Sequence, residues 1–483
     1  MLWTIFLLLN GLLLLVLLYS TRTRQTNEPP LDKGFLPWLG HALEFGRNAA
    51  EFLARMKDKH GDIFTVRVAG RYITVLLDPY SFDAVLQDTV GFDFTRRKSL
   101  LIKRIFNLQM PSNNPCAQRE WMKRSFKDVS LSKLSNSMRS HLQMLLPRDT
   151  RWRQDGLFSL SYSLLFRASY LTLFERRDNT DKVYKEFRKF DGLLSKLVYG
   201  TLKRGESRTA TLSQECLWEL LYPEGLDEGS KLNSWQQNYH QFLQEEGVDA
   251  EMQKRAFLYQ LWTTQCNVGP AAFWLLGFLL THPEAMEAVC TEIRGVTPQD
   301  RSRQHFLLNI SETHNTPVFD SALGETLRLT AAVMINRDVV QDRILHMANG
   351  QEYHLRQGDT ICLFPYLSPQ MDRQIHEEPQ SFRYDRFLND DMTEKKIFYK
   401  DGKRLKYYTM PWGAGTNMCV GKVFAVAAIK QFVFMVLTHL DLEMCDPKAH
   451  LPSINHSRYG FGVIQPDGDL QVRYRLRGHL SEV

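Results

Sequence analysis

The chain has 483 residues, 43% hydrophobic and 12% aromatic, enough to bury a large core. A net charge of +6, with no basic stripe interleaved with aromatics, excludes a nucleic-acid binder. The seven cysteines (Cys116, Cys216, Cys266, Cys290, Cys362, Cys419, Cys445) are odd in number, widely spread and free of any Cys-x-x-Cys pair. That excludes a disulfide framework or zinc site and points to a reducing compartment.

Residues 2–19 are almost wholly apolar, interrupted only by Thr4, Asn10 and Gly11, and Arg22 and Arg24 follow directly. The run is just long enough to span a bilayer. A cleaved signal peptide is the competing reading, but there is neither a charged start nor a small-residue cleavage site. Residues 1–20 therefore read as a retained single-pass anchor, and the arginines behind it put the rest of the chain on the cytoplasmic side. Two glycosylation sequons, at Asn309 and Asn455, would be idle there. Pro29, Pro30 and Pro37, with Gly34 and Gly40, make residues 21–40 a stiff non-helical linker to a domain over 41–483.

Asn48 with Glu51 predicts a capped helix running to Gly61. Ile63–Val66 and Tyr72–Val75, separated by Ala69-Gly70-Arg71, predict a hairpin, and Asp78-Pro79 opens the next helix. Phe92 to Pro115 reads as a loop-like stretch whose basic residues are mostly solvated surface. Residues 150–250 read as helices rich in core aromatics, broken near Gly205 and Gly225.

Asp249 caps a long helix running through Leu280. Pro270 lies inside it, where its missing amide frees the carbonyl of Cys266 and bends the helix. Asn267 stands at that bend with a donor and an acceptor to offer. Its carboxamide either faces a ligand or satisfies the freed carbonyl. Glu325 and Arg328 share a helix face. Asn336-Arg337 leads into a hairpin turning at Asn349-Gly350, followed by a strand at Thr360–Phe364, and Pro466-Asp467-Gly468 makes a further hairpin turn.

The most informative stretch is Pro411 to Val436. Glycines at 413, 415 and 421 let the backbone turn tightly beside a large flat ligand. Cys419 sits just ahead of an apolar helix, where orphan amides and the helix dipole favour the metal-binding thiolate.

The spacing Trp412, Gly415, Cys419, Gly421 resembles the haem-thiolate signature of the cytochromes P-450. That resemblance implies one mainly α domain with small β-sheets, in the cytochrome P-450 fold, behind a membrane anchor. It implies haem b ligated by Cys419, with Trp121, Arg124 and Arg337 as further cofactor contacts. Asn417 stands where the family usually has a basic propionate partner, and Trp121 and Arg124 are three apart where the usual spacing is four. It also implies substrate contacts at Arg104, Met110, Asn267, Asn336, Arg337 and Thr360. Glu325, Arg328 and Arg386 match the structural network behind the cysteine loop. The family's oxygen-activating members carry an acid and an alcohol where this chain has Gly269 and Pro270, so the proton relay is missing.

Met410–Gly421, Lys430–Phe434 and Ser457–Gly462 further resemble the family's endoperoxide-isomerising branch, which converts prostaglandin H2 to prostaglandin I2. This implies Cys419 and Asn267 as catalytic residues and an endoplasmic-reticulum location. The reaction would need no dioxygen, NADPH or reductase, and the protein would act as a monomer. A sterol hydroxylase of the bile-acid branch, whose members carry Asn and Pro at similar places, is the alternative; a haem-binding sensor without turnover is the reading from another class.

Overall fold

Four apolar helices form the centre of the molecule: Leu157–Phe174, Val268–Thr281, Pro317–Thr330 and Lys422–His439. Leu157–Phe174, Val268–Thr281 and Lys422–His439 are hydrophobic around most of their circumference, a pattern that burial on several sides satisfies, whereas Pro317–Thr330 also buries charged side chains. Leu165, Phe273, Leu276, Phe319, Val433 and Phe434 meet in one core, each buried aromatic or aliphatic side chain contributing about 1.5–3 kcal/mol. The structure is a computed structural model that describes residues 2–19, 22–111, 116–222, 234–296 and 315–478. Gly225 and the sequon at Asn309 lie outside the described residues.

Beside the helical core is a six-stranded sheet in the order Leu31–Asp32, Ile63–Val68, Arg71–Leu76, Thr360–Leu363, Ile335–Val339, Phe92–Asp93. The hairpin of Ile63–Val68 and Arg71–Leu76 forms where the alternation predicts it, with Ala69 and Gly70 at positive φ in the turn. The helix Ala49–His60 starts on Asn48, whose side chain accepts from the Glu51 amide, and stops at Gly61 with φ 85°. Strands Arg343–His346 and Glu352–Leu355 flank the Asn349-Gly350 turn, and Ile335–Val339 pairs antiparallel with Thr360–Leu363.

Leu2–Tyr19 is helical, and the side chains of Trp3, Phe6, Leu8 and Leu12 are exposed. Residues 22–40 are non-helical, as their prolines require, and they are bound to the domain. Leu31–Asp32 extends the sheet, Arg22 is bonded to Asp359 and stacked on Tyr72, and Glu28 is bonded to Arg356.

Several expectations change. Thr95–Phe106 is a helix within the stretch read as loop. The Asp93 carboxylate accepts from the amides of Thr95 (2.7 Å) and Arg96 (3.1 Å), and the buried Ile105 and Phe106 with the half-buried Ile102 form an apolar stripe that the flanking basic residues conceal. Gly205 lies in the first turn of Arg204–Leu221 and breaks nothing; the stop is Gly200, at φ 68°, after Leu194–Tyr199. The long helix is two, Ala250–Gln265 and Val268–Thr281, parted at Cys266-Asn267, because the residue whose carbonyl Pro270 cannot serve lies one turn earlier. The chain does turn at Pro466–Gly468, but Gly462–Val463 and Gln471–Leu476 on either side join different sheets.

Candidate active site

The loop from Pro411 is braced from behind. Arg328 donates to Glu325 through Nε (2.7 Å) and Nη2 (2.8 Å), and Arg386 Nε reaches the same carboxylate at 2.8 Å. Glu325 and Arg328 are fully buried. Arg328 also donates to the carbonyl of Gln370 (2.6 Å), whose side chain accepts from the Met410 amide (3.3 Å). The network read from the sequence thus ends on Met410, the residue just ahead of the loop. Within it Gly413 and Gly415 take φ of 70° and 64°, a region that favours glycine. Gly421 does not, at φ −88°, and a Cβ there would meet nothing within 4 Å.

The Cys419 amide donates to Trp412 O (2.9 Å), and Arg119 Nη2 holds the Met418 carbonyl at 2.7 Å. Burial pushes the Cys419 thiol up, and hydrogen bonds from the Gly421 and Lys422 amides with the charges of Arg119 and Lys422 pull the other way. The amide donors expected at the start of Lys422–His439 are therefore present, but burial outweighs them.

Cys419 opens onto a cavity of about 320 Å³. Its floor is the loop from Pro411 to Ala414 with Ala425 and Ile429, and its far wall is Asn267, Val268 and Ala271 of the bent helix with Gly462 and Val463. Ile335 and Arg337 close one side. Arg337 is 3% exposed and donates to Asn336 O (2.9 Å), and its guanidinium carbon stands 4.8 Å above the Phe94 ring. Burial pushes its pKa down, opposed by the charge of Asp93. A mostly apolar slot with a sulfur at one face and a thinly compensated cation at one edge suits a flat apolar ligand that binds metal and carries an anionic edge. Those are the features of haem.

Asn267 does not serve the freed carbonyl. Its Oδ1 accepts from the Val463 amide (2.8 Å), and its Nδ2 lies 3.1 Å from Cys266 Sγ. This fixes the carboxamide: the oxygen is used, one N–H is given to Cys266 Sγ, and the second N–H is what Asn267 offers to the cavity. Gly462, at φ 98°, is needed for the approach, since a Cβ there would stand 2.4 Å from Asn267 Oδ1. Gly269 is equally constrained. A Cβ on it would come within 2.8 Å of the Tyr162 ring and 3.0 Å of the Tyr162 Cα. The position holds no acid, and the backbone of Leu157–Phe174 leaves no room for one.

Other positions named from the sequence lie elsewhere. Arg104 is exposed on Thr95–Phe106 with its guanidinium against Gly200, and Met110 packs on the helical core; neither lines the cavity. Asn336 points to the opposite face of its strand from Arg337, as strict alternation requires. Thr360 is buried, bonded to Arg97, and lines a second cavity of about 390 Å³ with Arg71, Arg96, Arg97 and Asp338. Trp121 sits in an aromatic cluster, 5.3 Å from Trp235 and 5.0 Å from Tyr239, and Arg124 is exposed. The side chain of Asn417 is outside the described residues. Sequence reasoning missed Phe94, Arg119 and the Val463 amide. Arg119 lies on the helix singled out for Trp121 and Arg124, so its basic charge was the available signal.

Residues 267–472 match the family described as Cytochrome P450. The chain is 48% identical over 475 residues to a protein named prostacyclin synthase from Rattus norvegicus, covering 94% of this chain and 95% of that one. It is 47% identical over 476 residues to the protein of the same name from Homo sapiens, with the same coverage. To a 7-alpha-hydroxycholest-4-en-3-one 12-alpha-hydroxylase from Oryctolagus cuniculus it is 40% identical over 473 residues, 94% of this chain and 95% of that one.

Proposed function

This chain belongs to the cytochrome P450 family, and from that premise we propose that it is a haem-thiolate isomerase converting prostaglandin H2 to prostaglandin I2, with no need of dioxygen, NADPH or a reductase. Cys419 is the proximal thiolate, and Arg337 meets the anionic edge of the haem. A haem on that thiolate supplies an electron-rich iron suited to cleaving an O–O bond.

The residues that line the cavity carry the reading most directly, since none of them is an acid or an alcohol. Splitting dioxygen requires protons delivered to the distal side, and the wall over the cavity is Val268, Ala271 and the Asn267 carboxamide, whose oxygen is occupied. A substrate that is already a peroxide has no such need. It needs orientation, which the NH2 group of Asn267 provides by donating to one endoperoxide oxygen and so choosing which of the two turns toward Cys419. The greater identity to proteins named prostacyclin synthase than to the hydroxylase supports the same choice.

Leu2–Tyr19 is about 27 Å long at 1.5 Å per residue, within reach of spanning a bilayer, and its exposed apolar side chains suit lipid. We read it as the anchor that holds a monomeric, cytoplasm-facing domain on the endoplasmic reticulum. Arg22 is engaged by Asp359 and Glu28, so the domain is held close behind the anchor's end.

The test is to incubate the purified protein with prostaglandin H2 alone, and in parallel with a sterol plus NADPH and reductase. Conversion of the endoperoxide without reductase is expected, and Asn267→Ala should keep its haem and lose at least tenfold in turnover per haem, since misplacement by about 1 Å can cost on the order of a hundredfold. Sterol hydroxylation with no endoperoxide turnover would overturn the proposal.

A further inference from the structure

We propose that Asp191 and Arg458 are positioning residues for Asn267, acting through the segment Arg458–Gln465 that presents the Val463 amide to its side chain. The inference rests on the reading of Asn267 as the group that orients the endoperoxide.

Asp191 stands near the end of the helix Thr180–Gly192 and is fully buried. Its carboxylate accepts from Arg458 Nη1 (3.2 Å) and Nη2 (2.7 Å) and from Gln465 Nε2 (2.8 Å), and its backbone carbonyl takes a further bond from Arg458 Nη2 at 2.8 Å. Arg188 lies at 3.5 Å. Arg458 and Gln465 are each 6% exposed. The arginines hold the Asp191 carboxyl below its ordinary range despite burial, so the pair is ionised. One buried carboxylate therefore grips both ends of the stretch from Arg458 to Gln465.

Between those ends the segment is laid against the end of Pro317–Thr330. Gly460 N donates to Ala332 O (2.8 Å) and Ile464 N to Thr330 O (2.8 Å), and Gly462–Val463 pairs with Ala331–Ala332. The Val463 amide turns instead to Asn267 Oδ1. The approach is so close that Gly462 has no room for a Cβ, so a shift of the segment is passed directly to the carboxamide. Asp191 and Arg458 do not line the cavity; the hydrogen bond from Val463 is their mechanical link to Asn267, and their charges also reach Cys266, which accepts from Asn267 Nδ2.

The experiment uses the full-length holoenzyme and a double-mutant cycle. Asp191→Asn, Asn267→Ala and their combination are compared for turnover of prostaglandin H2 per haem, for the ratio of prostaglandin I2 to other endoperoxide breakdown products, and for the reduced carbonyl spectrum. Asp191→Asn is expected to keep a thiolate-type spectrum, to lose roughly tenfold or more in turnover and to shift the product ratio as Asn267→Ala does. The combination should be no worse than Asn267→Ala alone. Gln465→Met removes one bond from the same carboxylate and is expected to shift the ratio the same way by less; it decides the matter if Asp191→Asn fails to hold haem. Losses that multiply in the double variant would overturn the inference, as would unchanged product ratios in Asp191→Asn and Gln465→Met while Asn267→Ala is impaired. A silent Asn267→Ala would overturn the reading of Asn267 and this inference together.

Discussion

Replacing Arg337 with methionine should move two properties in opposite directions. The guanidinium is 3% exposed, with the Asn336 carbonyl at 2.9 Å and the Phe94 ring at 4.8 Å as its contacts, and Asp93 as the carboxylate whose charge opposes its desolvation. One carbonyl and one ring compensate a buried five-donor cation poorly, so an apolar side chain of similar length leaves the apoprotein unchanged or up to about 1–4 kcal/mol more stable. With haem bound, the same change removes a charge-assisted hydrogen bond worth about 1.5–3 kcal/mol, a loss of roughly 10- to 150-fold in affinity. Urea melts of the apoprotein measure the first quantity, and haem transfer to excess apomyoglobin measures the second. Arg337→Met with haem transfer as slow as the parent, or an apoprotein weakened by more than about 2 kcal/mol, would refute the assignment and make Arg337 a purely structural cation.

Cys419→Ser should give a folded protein without a thiolate-type spectrum after reduction under carbon monoxide; a normal spectrum would show that another residue ligates the metal. Glu325→Gln leaves Arg328 and Arg386 around a neutral amide and is expected to cost about 3–5 kcal/mol by thermal melting, with loss of haem because the network ends on Met410. His376 is 1% exposed, bonded through Nε2 to Tyr408 O (2.8 Å), and burial pushes its imidazole down to about 3. Its unfolded value is about 6.5, so the stability it contributes is complete above that pH and is lost as pH falls toward 3, at about 1.4 kcal/mol per unit. Stability measured from pH 7 to 4.5 should fall more steeply than in His376→Asn, and parallel profiles would contradict the burial argument.

What could be read from the sequence was what is local or carried by charge pairs of fixed spacing. The turn glycines, Cys419 and the helix behind it lie within one short stretch, and Glu325 with Arg328 must share a helix face whatever else the chain does. Asn48, Ala69-Gly70 and Asn349-Gly350 are equally self-contained, and the elements they start or join appear as expected. The helix Thr95–Phe106 was hidden because its capping carboxylate precedes five basic residues, Arg96, Arg97, Lys98 and, further on, Lys103 and Arg104, that read as solvated loop. Arg104 and Asn336 illustrate a different limit. Proximity in sequence to a site says nothing about which face of a helix or strand a side chain takes, and a shift of one residue along Ile335–Val339 separates the wall of the cavity from the opposite side of the sheet.

The orientation of Asn267 was the least legible feature, because its partner is 196 positions away in sequence and is a backbone amide, which no residue type advertises. The bend itself could be read from Pro270, but a bend leaves the carboxamide free to serve the carbonyl of Cys266 or to turn outward. Two glycines remove that freedom. Gly462 admits the strand that takes Oδ1, and Gly269 admits the ring and backbone of Tyr162 on the other side of the bend. The bend is thereby packed from both flanks, and the wall it gives the cavity has a fixed donor at Asn267 and no carboxylic acid among its lining residues. Such a wall can orient a polar oxygen pair but has no acid of its own to feed it protons, which suits a substrate whose O–O bond is already made.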